Sequence, residues 1–265
     1  MSERFVILSD LHLGRQPDRA TAEMMRPLWQ GAQHVIVNGD VAELFDPRYI
    51  EAAEKETLRL QELCEADGVT LTLLAGNHDP DVTERRYLYL AGDKVLITHG
   101  DSVDPAIAPW CNTAPAMRAA FDRTFESFPV ETHEKLETRL MATHNAALAK
   151  WDILKNDLHA AGFRKMLKRP WSFVQVMNYW YQFPTEAAKF CERYAPTATV
   201  IITGHTHRQG IWKRNGRTVI NTGAFAFPGR PRMVTLEGNT LSVHRINRDG
   251  NVFRMEANSI ARFEV

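Results

Sequence analysis

The sequence predicts an α/β sandwich that is interrupted by a helical insertion. Strand and helix patterns alternate over the first hundred residues, which is typical of an α/β domain with parallel pairing. Residues 105–196 carry long helical patterns without a strand pattern, and strands resume at Thr199. We therefore expect an α/β core, with α+β character towards the end of the chain, from residues 1–104 and 197–265, and a helical cap from residues 105–196.

The first 75 residues contain five predicted elements. Short apolar and β-branched runs predict the strands, and apolar residues at helical spacing predict the helices. Each strand runs directly into a polar cluster at its carboxyl end. The elements are a strand at Phe5–Leu8, a helix at Arg15–Gln30, a strand at His34–Asn38, a helix at Glu51–Ala66 and a strand at Val69–Ala75.

The later strands are predicted from turn residues that separate apolar runs. Arg86–Leu90 and Lys94–Thr98 flank Ala91-Gly92-Asp93, which indicates a hairpin. Thr199–Thr203 is a further buried strand. Residues 210–265 should form only short strands, with turns at Asn215-Gly216, Glu237-Gly238-Asn239 and Asp249-Gly250.

Composition limits the classes of function. Lys plus Arg and Asp plus Glu number 32 each, so no overall field attracts nucleic acid, and no nucleic-acid partner is expected. The three cysteines lie far apart, which argues against a disulfide framework and a zinc knuckle. We find no signal-peptide core and no apolar window of membrane-spanning length. A cytoplasmic protein is expected, with peripheral contact at the inner face of the membrane left open.

Metal-ligand side chains recur at the predicted strand ends. Two residues apart in an extended chain, Asp10 and His12 point to the same side, so one cation can take both. The whole set is too large for one zinc and suits two adjacent divalent cations that share a carboxylate. Its mixed chemistry favours manganese, with iron or zinc as alternatives. The set is Asp10, His12, Asp40, Asn77, His99, His205 and His207.

The order of the motifs resembles that of the calcineurin-like metallophosphoesterases. The motifs are Asp-x-His, Gly-Asp, Gly-Asn-His-Asp, His-Gly-Asp and Gly-His-Thr-His, and the resemblance covers residues 1–104 and 197–250. It implies a four-layer αββα sandwich and hydrolysis of a phosphoester by a metal-bridging hydroxide. It also implies the ligand sets: Asp10, His12, Asp40 and His207 for one metal, and Asp40 as bridge, Asn77, His99 and His205 for the other.

The same resemblance implies catalytic roles in the Gly-Asn-His-Asp loop. His78 would lie beside the leaving group as general acid or phosphate contact, and Asp79 would orient His78 or the loop. Asn77 belongs to both the catalytic and the ligand set. Arg15 and Arg208 are candidates for phosphate contacts, although solvated loop arginines fit the sequence as well.

The helical insertion, residues 105–196, indicates a class of substrate. Ser9–Gly14 together with a helical insertion is most similar to the UDP-2,3-diacylglucosamine hydrolases of lipid A synthesis, whose insertion is a lid for acyl chains. One departure is His78, where those hydrolases typically carry arginine. Residues 164–171 are basic and lead into an aromatic stretch that could meet an anionic lipid surface. The stripe Val174, Met177 and Tyr181 is nevertheless expected to pack the insertion onto the core.

The sequence thus leaves several functions in order of preference. The first is a two-metal phosphoesterase that acts on a phosphodiester or pyrophosphate bond, with a UDP-2,3-diacylglucosamine-like lipid nucleotide as the favoured substrate. The second is a phosphodiesterase or phosphatase for soluble substrates, such as cyclic nucleotides. A nuclease is less favoured than either. A metal-free binding scaffold is also less favoured, because all seven predicted ligand positions are intact.

Overall fold

The computed structural model describes residues 3–16, 20–156, 170–226 and 229–265. The chain forms two compact units, residues 1–99 with 197–265 and residues 100–196. The strands are β1 Arg4–Leu8, β2 His34–Asn38, β3 Thr70–Leu74, β4 Tyr87–Leu90, β5 Val95–Thr98, β6 Val200–Thr203, β7 Gly210–Arg214, β8 Arg217–Asn221, β9 Arg232–Glu237, β10 Thr240–Asp249 and β11 Val252–Glu264. The α-helices are α1 Ala22–Met25, α2 Ile50–Ala66, α3 Ala114–Ser127, α4 Leu136–Asn156 and α5 Pro170–Tyr194.

The strands of the first unit form two mixed sheets. The six-stranded sheet has the order β11-β10-β9-β1-β2-β3, and the five-stranded sheet has the order β4-β5-β6-β8-β7. β1, β2 and β3 are parallel, as are β5, β6 and β8, whereas β4 and β5 form the predicted antiparallel hairpin. Within each parallel group the carboxyl ends of the strands therefore lie at one edge of the sheet.

Alternating side chains build two cores on the six-stranded sheet. Ile7 and Ile36 share a buried cluster with Ile97 and Ile202 of the other sheet. The intervening residues of β1 and β2, such as Val6, belong to a second cluster that includes side chains of α1 and α2. The predicted sandwich fold is confirmed in this arrangement of a mixed α/β chain with two mixed sheets.

Two predicted elements differ from the structure. The helix predicted at Arg15–Gln30 is wrong in extent, because among its described residues only α1 is α-helical and a 3₁₀ turn, Arg26–Trp29, follows it. Pro27 explains the change, since its missing N–H cannot continue the α-helical ladder. Residues 17–19 of that prediction lie outside the described residues.

The prediction of only short strands after residue 210 is also wrong. β10 and β11 are 10 and 13 residues long, and they pair with each other through register shifts near His244. The turns were predicted correctly: Asn215 and Gly216, for example, have φ of 48° and 74°, the left-handed values that a two-residue hairpin requires.

The second unit contains α3, α4 and α5. Met117 and Phe121 of α3 pack with alanines of α4 in its core. On α5 the buried side chains include Val176, Tyr179 and Phe183.

The stripe that was expected to be buried on α5 is exposed, so that prediction is wrong. Val174 is 52%, Met177 46% and Tyr181 78% exposed. Within the described ranges, no helix combines the length and the apolarity needed to cross a membrane.

Candidate metal centre

The predicted ligand residues follow the parallel strands of both sheets. Asp10 and His12 follow β1, Asp40 follows β2 and Asn77 follows β3 in the six-stranded sheet. In the five-stranded sheet His99 follows β5, and the remaining two histidines follow β6. Their side chains contact one another across the two sheets, and most of them are buried.

The first predicted set forms a compact cluster of donor atoms. One ligand atom from each of Asp10, His12, Asp40 and His207 lies within 4.8 Å of all the others. The Nε2 atoms of His12 and His207 are 2.9 Å apart, and His207 Nε2 lies 3.4 Å from Asp10 Oδ1. Two imidazole nitrogens and two carboxylates that converge in this way fit one divalent cation.

The second predicted set is also brought together. Asp40 Oδ2 lies 3.3 Å from His99 Nε2, and Asn77 Oδ1 lies 2.8 Å from His205 Nδ1. His99 Nδ1 donates to the carbonyl oxygen of Asn38 at 2.9 Å, so the neutral form of the ring would offer the lone pair of Nε2 to a cation. The donor chemistry of this set therefore fits a cation as well.

Burial and neighbouring charges shift the pKa of the carboxylates in opposite directions. Burial favours a raised pKa at Asp40, but His99 and the other imidazoles outweigh it and hold the pKa of Asp40 well below its usual range. At Asp10 the same opposition, with His207 as the main partner, lowers the pKa. Both side chains are thus anionic, as a cation requires.

The backbone of the ligand residues is unusual. Left-handed φ values, which non-glycine residues rarely adopt, occur at five of the seven ligand positions. Such strain persists where the surrounding structure imposes it, and it concentrates at functional sites. These values are 51° at Asp10, 49° at His12, 50° at Asp40, 66° at His205 and 57° at His207.

Two glycines allow the loops to approach the carboxylates. A Cβ at Gly204 would lie 2.0 Å from Asp10 Oδ2, and one at Gly76 would lie 2.3 Å from Asp40 Oδ1. Any other residue at either position would displace a predicted ligand.

Glu43 is a site residue that the motifs did not reveal. Its carboxylate is buried and accepts from His12 Nδ1 at 3.0 Å, from His78 Nδ1 at 2.7 Å and from Arg15 Nη1 at 3.1 Å. Burial would raise the pKa of Glu43, but the two imidazoles hold it well below its usual range. The available signal was its position in the loop that also carries Asp40.

The predicted catalytic residues lie in the loop after β3. The backbone N–H of His78 donates to Asp40 Oδ1 at 2.8 Å, and its ring contacts Glu43. Asp79 is fully buried and accepts from the backbone N–H groups of Gly76 and Val41, so it joins the loops after β2 and β3. Burial and the charge of Asp40 raise the pKa of Asp79 to about 7. The catalytic roles of these residues, including Asn77, stay predictions.

The remaining candidates lie at the margin of the site or outside it. Arg15 contacts Glu43, and the guanidinium of Arg208 lies over the ring of Trp212. His34 stacks on Phe5, away from the ligand cluster. Most of the predicted basic segment before α5 lies outside the described residues.

Sequence comparison places the chain in a known family. Residues 3–209 match the family described as calcineurin-like phosphoesterase. The chain belongs to the calcineurin-like phosphoesterases. It is accordingly a hydrolase of phosphoesters, with a candidate metal site in its Asp/His cluster. No curated protein sequence matches the chain.

Solved structures with similar folds show low sequence identity. Yfce, a phosphoesterase from E. coli, is 16% identical with a TM-score of 0.45, and the match covers 98% of both chains. Vps29 from Entamoeba histolytica in complex with zinc is 10% identical with a TM-score of 0.44 and the same coverage. Because these identities and TM-scores are low, the family assignment rests on the match to the family over residues 3–209.

Proposed function

We propose that the protein hydrolyses a phosphodiester or pyrophosphate bond with two divalent cations, manganese being the favoured metal. The observation that carries this proposal is the convergence of strand-end donors in two sets that share Asp40. When bound, such cations acidify water and stabilise negative charge on phosphoryl oxygens.

The chain supplies the remaining functions itself. Glu43 holds the ring of His78 through Nδ1, which fixes the orientation in which the ring would meet a leaving-group oxygen. Glu43 also fixes His12 through Nδ1, which directs the other ring nitrogen, Nε2, towards His207 and Asp40. Arg15, which is partly exposed, adds a cation beside this pair that can contact substrate phosphate.

The test is turnover of bis(p-nitrophenyl) phosphate with added Mn²⁺. Asp40→Asn removes the shared anionic ligand and should abolish turnover and lower the bound metal per chain. Asp93→Asn is a matched control, because Asp93 is an exposed loop residue with φ of 66° that asparagine tolerates. Undiminished turnover in Asp40→Asn would exclude the proposed centre.

For the substrate we propose a lipid-linked nucleotide of the UDP-2,3-diacylglucosamine type, which would place the enzyme in lipid A synthesis. In support, the second unit contains a pocket of about 740 Å³. Its lining is largely apolar and includes Pro109, Trp110 and Ala119, with Arg118 among the polar groups. Such a pocket suits an apolar group better than a free nucleotide.

Filling the pocket tests this substrate class. Ala119→Trp should reduce turnover of UDP-2,3-diacylglucosamine while turnover of bis(p-nitrophenyl) phosphate stays unchanged, so the aryl substrate is the internal control. If the wild-type protein ignores the lipid nucleotide and cleaves cyclic nucleotides, the soluble-phosphodiesterase alternative is correct.

We further propose that α5 contacts an anionic bilayer at the inner face of the membrane. Trp171, Phe173 and Tyr181, together with Val174 and Met177, are exposed on this helix. No acidic residue occurs from Pro170 until Glu186, and the sequence before the helix is basic. Exposed aromatic residues next to positive charge suit an anionic lipid interface.

Vesicle flotation tests the bilayer contact. The protein should float with phosphatidylglycerol-containing vesicles and not with pure phosphatidylcholine, and Trp171→Ser with Tyr181→Ser should abolish flotation. Leu58→Ser, at an exposed leucine of α2, is the control. If flotation survives the double substitution, or if that substitution instead dissolves a dimer, the exposed face serves another partner.

A further inference from the structure

The last residue of β8, Asn221, and the residue after it, Thr222, contact the loops that follow β6 and β1. Asn221 is fully buried, and its Nδ2 donates to the carbonyl oxygen of Gly204 at 2.5 Å and to Thr206 Oγ1 at 3.1 Å. Its Oδ1 accepts from the N–H of Gly223 at 2.9 Å. Asn221 therefore fixes the turn on which His205 and His207 lie.

Thr222 reaches the other loop through a serine. Thr222 Oγ1 lies 2.5 Å from Ser9 Oγ, and Ser9 Oγ donates to Asp10 Oδ2 at 2.5 Å. Ser9 has one hydroxyl proton and gives it to Asp10 at 2.5 Å, since its other acceptor, the Gly223 carbonyl oxygen, lies at 3.3 Å. Thr222 then donates to Ser9 at 2.5 Å in preference to the Thr203 carbonyl oxygen at 3.2 Å. The two hydroxyls form a directed chain that ends on the Asp10 carboxylate.

The Asp10 carboxylate is held from a second direction. The backbone N–H of His205 donates to Oδ1 at 3.0 Å and to Oδ2 at 3.1 Å. The carboxylate thus has one donor from the turn of the histidine ligands and one from the hydroxyl chain. The two sources are themselves joined, because Thr222 follows Asn221 directly.

We propose that Thr222 is a positioning residue that sets the affinity of the first cation site. Its hydroxyl fixes the rotamer of Ser9, and Ser9 fixes the carboxylate of Asp10. Partners that orient a ligand in this way typically change metal affinity by about 10- to 100-fold when removed. The proposal rests on the metal centre proposed above and assigns a role to a residue outside its ligand sets.

Mn²⁺ binding to the metal-free protein, measured by titration calorimetry, tests the proposal. Thr222→Val keeps the shape of the side chain but removes the hydroxyl, and we expect about 10- to 100-fold weaker binding. Thr222→Ser retains the hydroxyl and should bind like the wild type. Thr218→Val, at a partly exposed position of β8, is the control for a threonine-to-valine change, on the strand that precedes Thr222.

Each outcome separates positioning from a purely structural role. A purely structural role would lower the melting temperature of the metal-free Thr222→Val protein and leave its Mn²⁺ affinity unchanged, and this result would overturn the proposal. Equal losses in Thr222→Val and Thr222→Ser would overturn it too, because the hydroxyl would not be the active group. Failure of the wild-type protein to bind Mn²⁺ would instead overturn the metal centre itself.

Discussion

At the scale of single residues, Glu43 connects a histidine predicted to bind metal with one predicted to act on the substrate. The convergence of the seven predicted ligand residues could be expected because each belongs to a short motif after a strand. Glu43 could not, because a lone glutamate in a loop is usually solvated. Only the fold shows that its carboxylate is buried between His12 and His78.

We expect Glu43→Gln to lower kcat/KM about 10- to 100-fold. Glutamine keeps the size of the side chain but offers a single acceptor oxygen for the two imidazoles. Turnover of bis(p-nitrophenyl) phosphate measures the effect, and Glu54→Gln, on the exposed face of α2, is the control. Equal activity in both variants would show that Glu43 does not orient the two rings.

Gly204 gives a second residue-level prediction. In Gly204→Ala the new Cβ would collide with Asp10 Oδ2 and Ser9 Oγ, so Mn²⁺ binding should weaken by at least about tenfold. Gly238→Ala is the contrasting variant, because its Cβ meets open space although φ is +58°. It should cost about 1–2 kcal/mol of stability and leave Mn²⁺ affinity unchanged. Unchanged Mn²⁺ binding in Gly204→Ala, with weaker binding in Gly238→Ala, would contradict the close approach of Gly204 to Asp10.

At the scale of elements, α5 shows why the sequence could predict a helix but not its orientation. Val174, Met177 and Tyr181 lie at spacings of three and four residues, and so do Val176, Tyr179 and Phe183. Periodicity alone cannot decide which of two equivalent stripes is buried. The structure buries the second, because α5 packs in the second unit through that face.

The orientation of α5 predicts that substitution of its two valines changes the free energy of unfolding by different amounts. Val176→Ala removes buried methyl groups and should lower the free energy of unfolding by about 1–3 kcal/mol. Val174→Ala changes an exposed position and should stay within about 0.5 kcal/mol of the wild type. Urea denaturation measures both changes in the free energy of unfolding, and equal changes would contradict the orientation of α5.

At the scale of the whole molecule, the site depends on pairing between distant parts of the chain. The first unit joins residues 1–99 to residues 197–265, so predicted ligands separated by almost two hundred positions in sequence meet within one compact body. The alternation of strands and helices predicted the parallel strands whose ends carry these ligands. It could not predict the lengths of β10 and β11, because their pairing is decided by contacts that no turn signal reveals.

Anomalous scattering from crystals grown with Mn²⁺ would locate the cations themselves. We expect two manganese peaks, one among Asp10, His12, Asp40 and His207 and one among Asp40, Asn77, His99 and His205. A single peak would contradict the two-cation centre, and the absence of manganese from these side chains would contradict the whole account of the site.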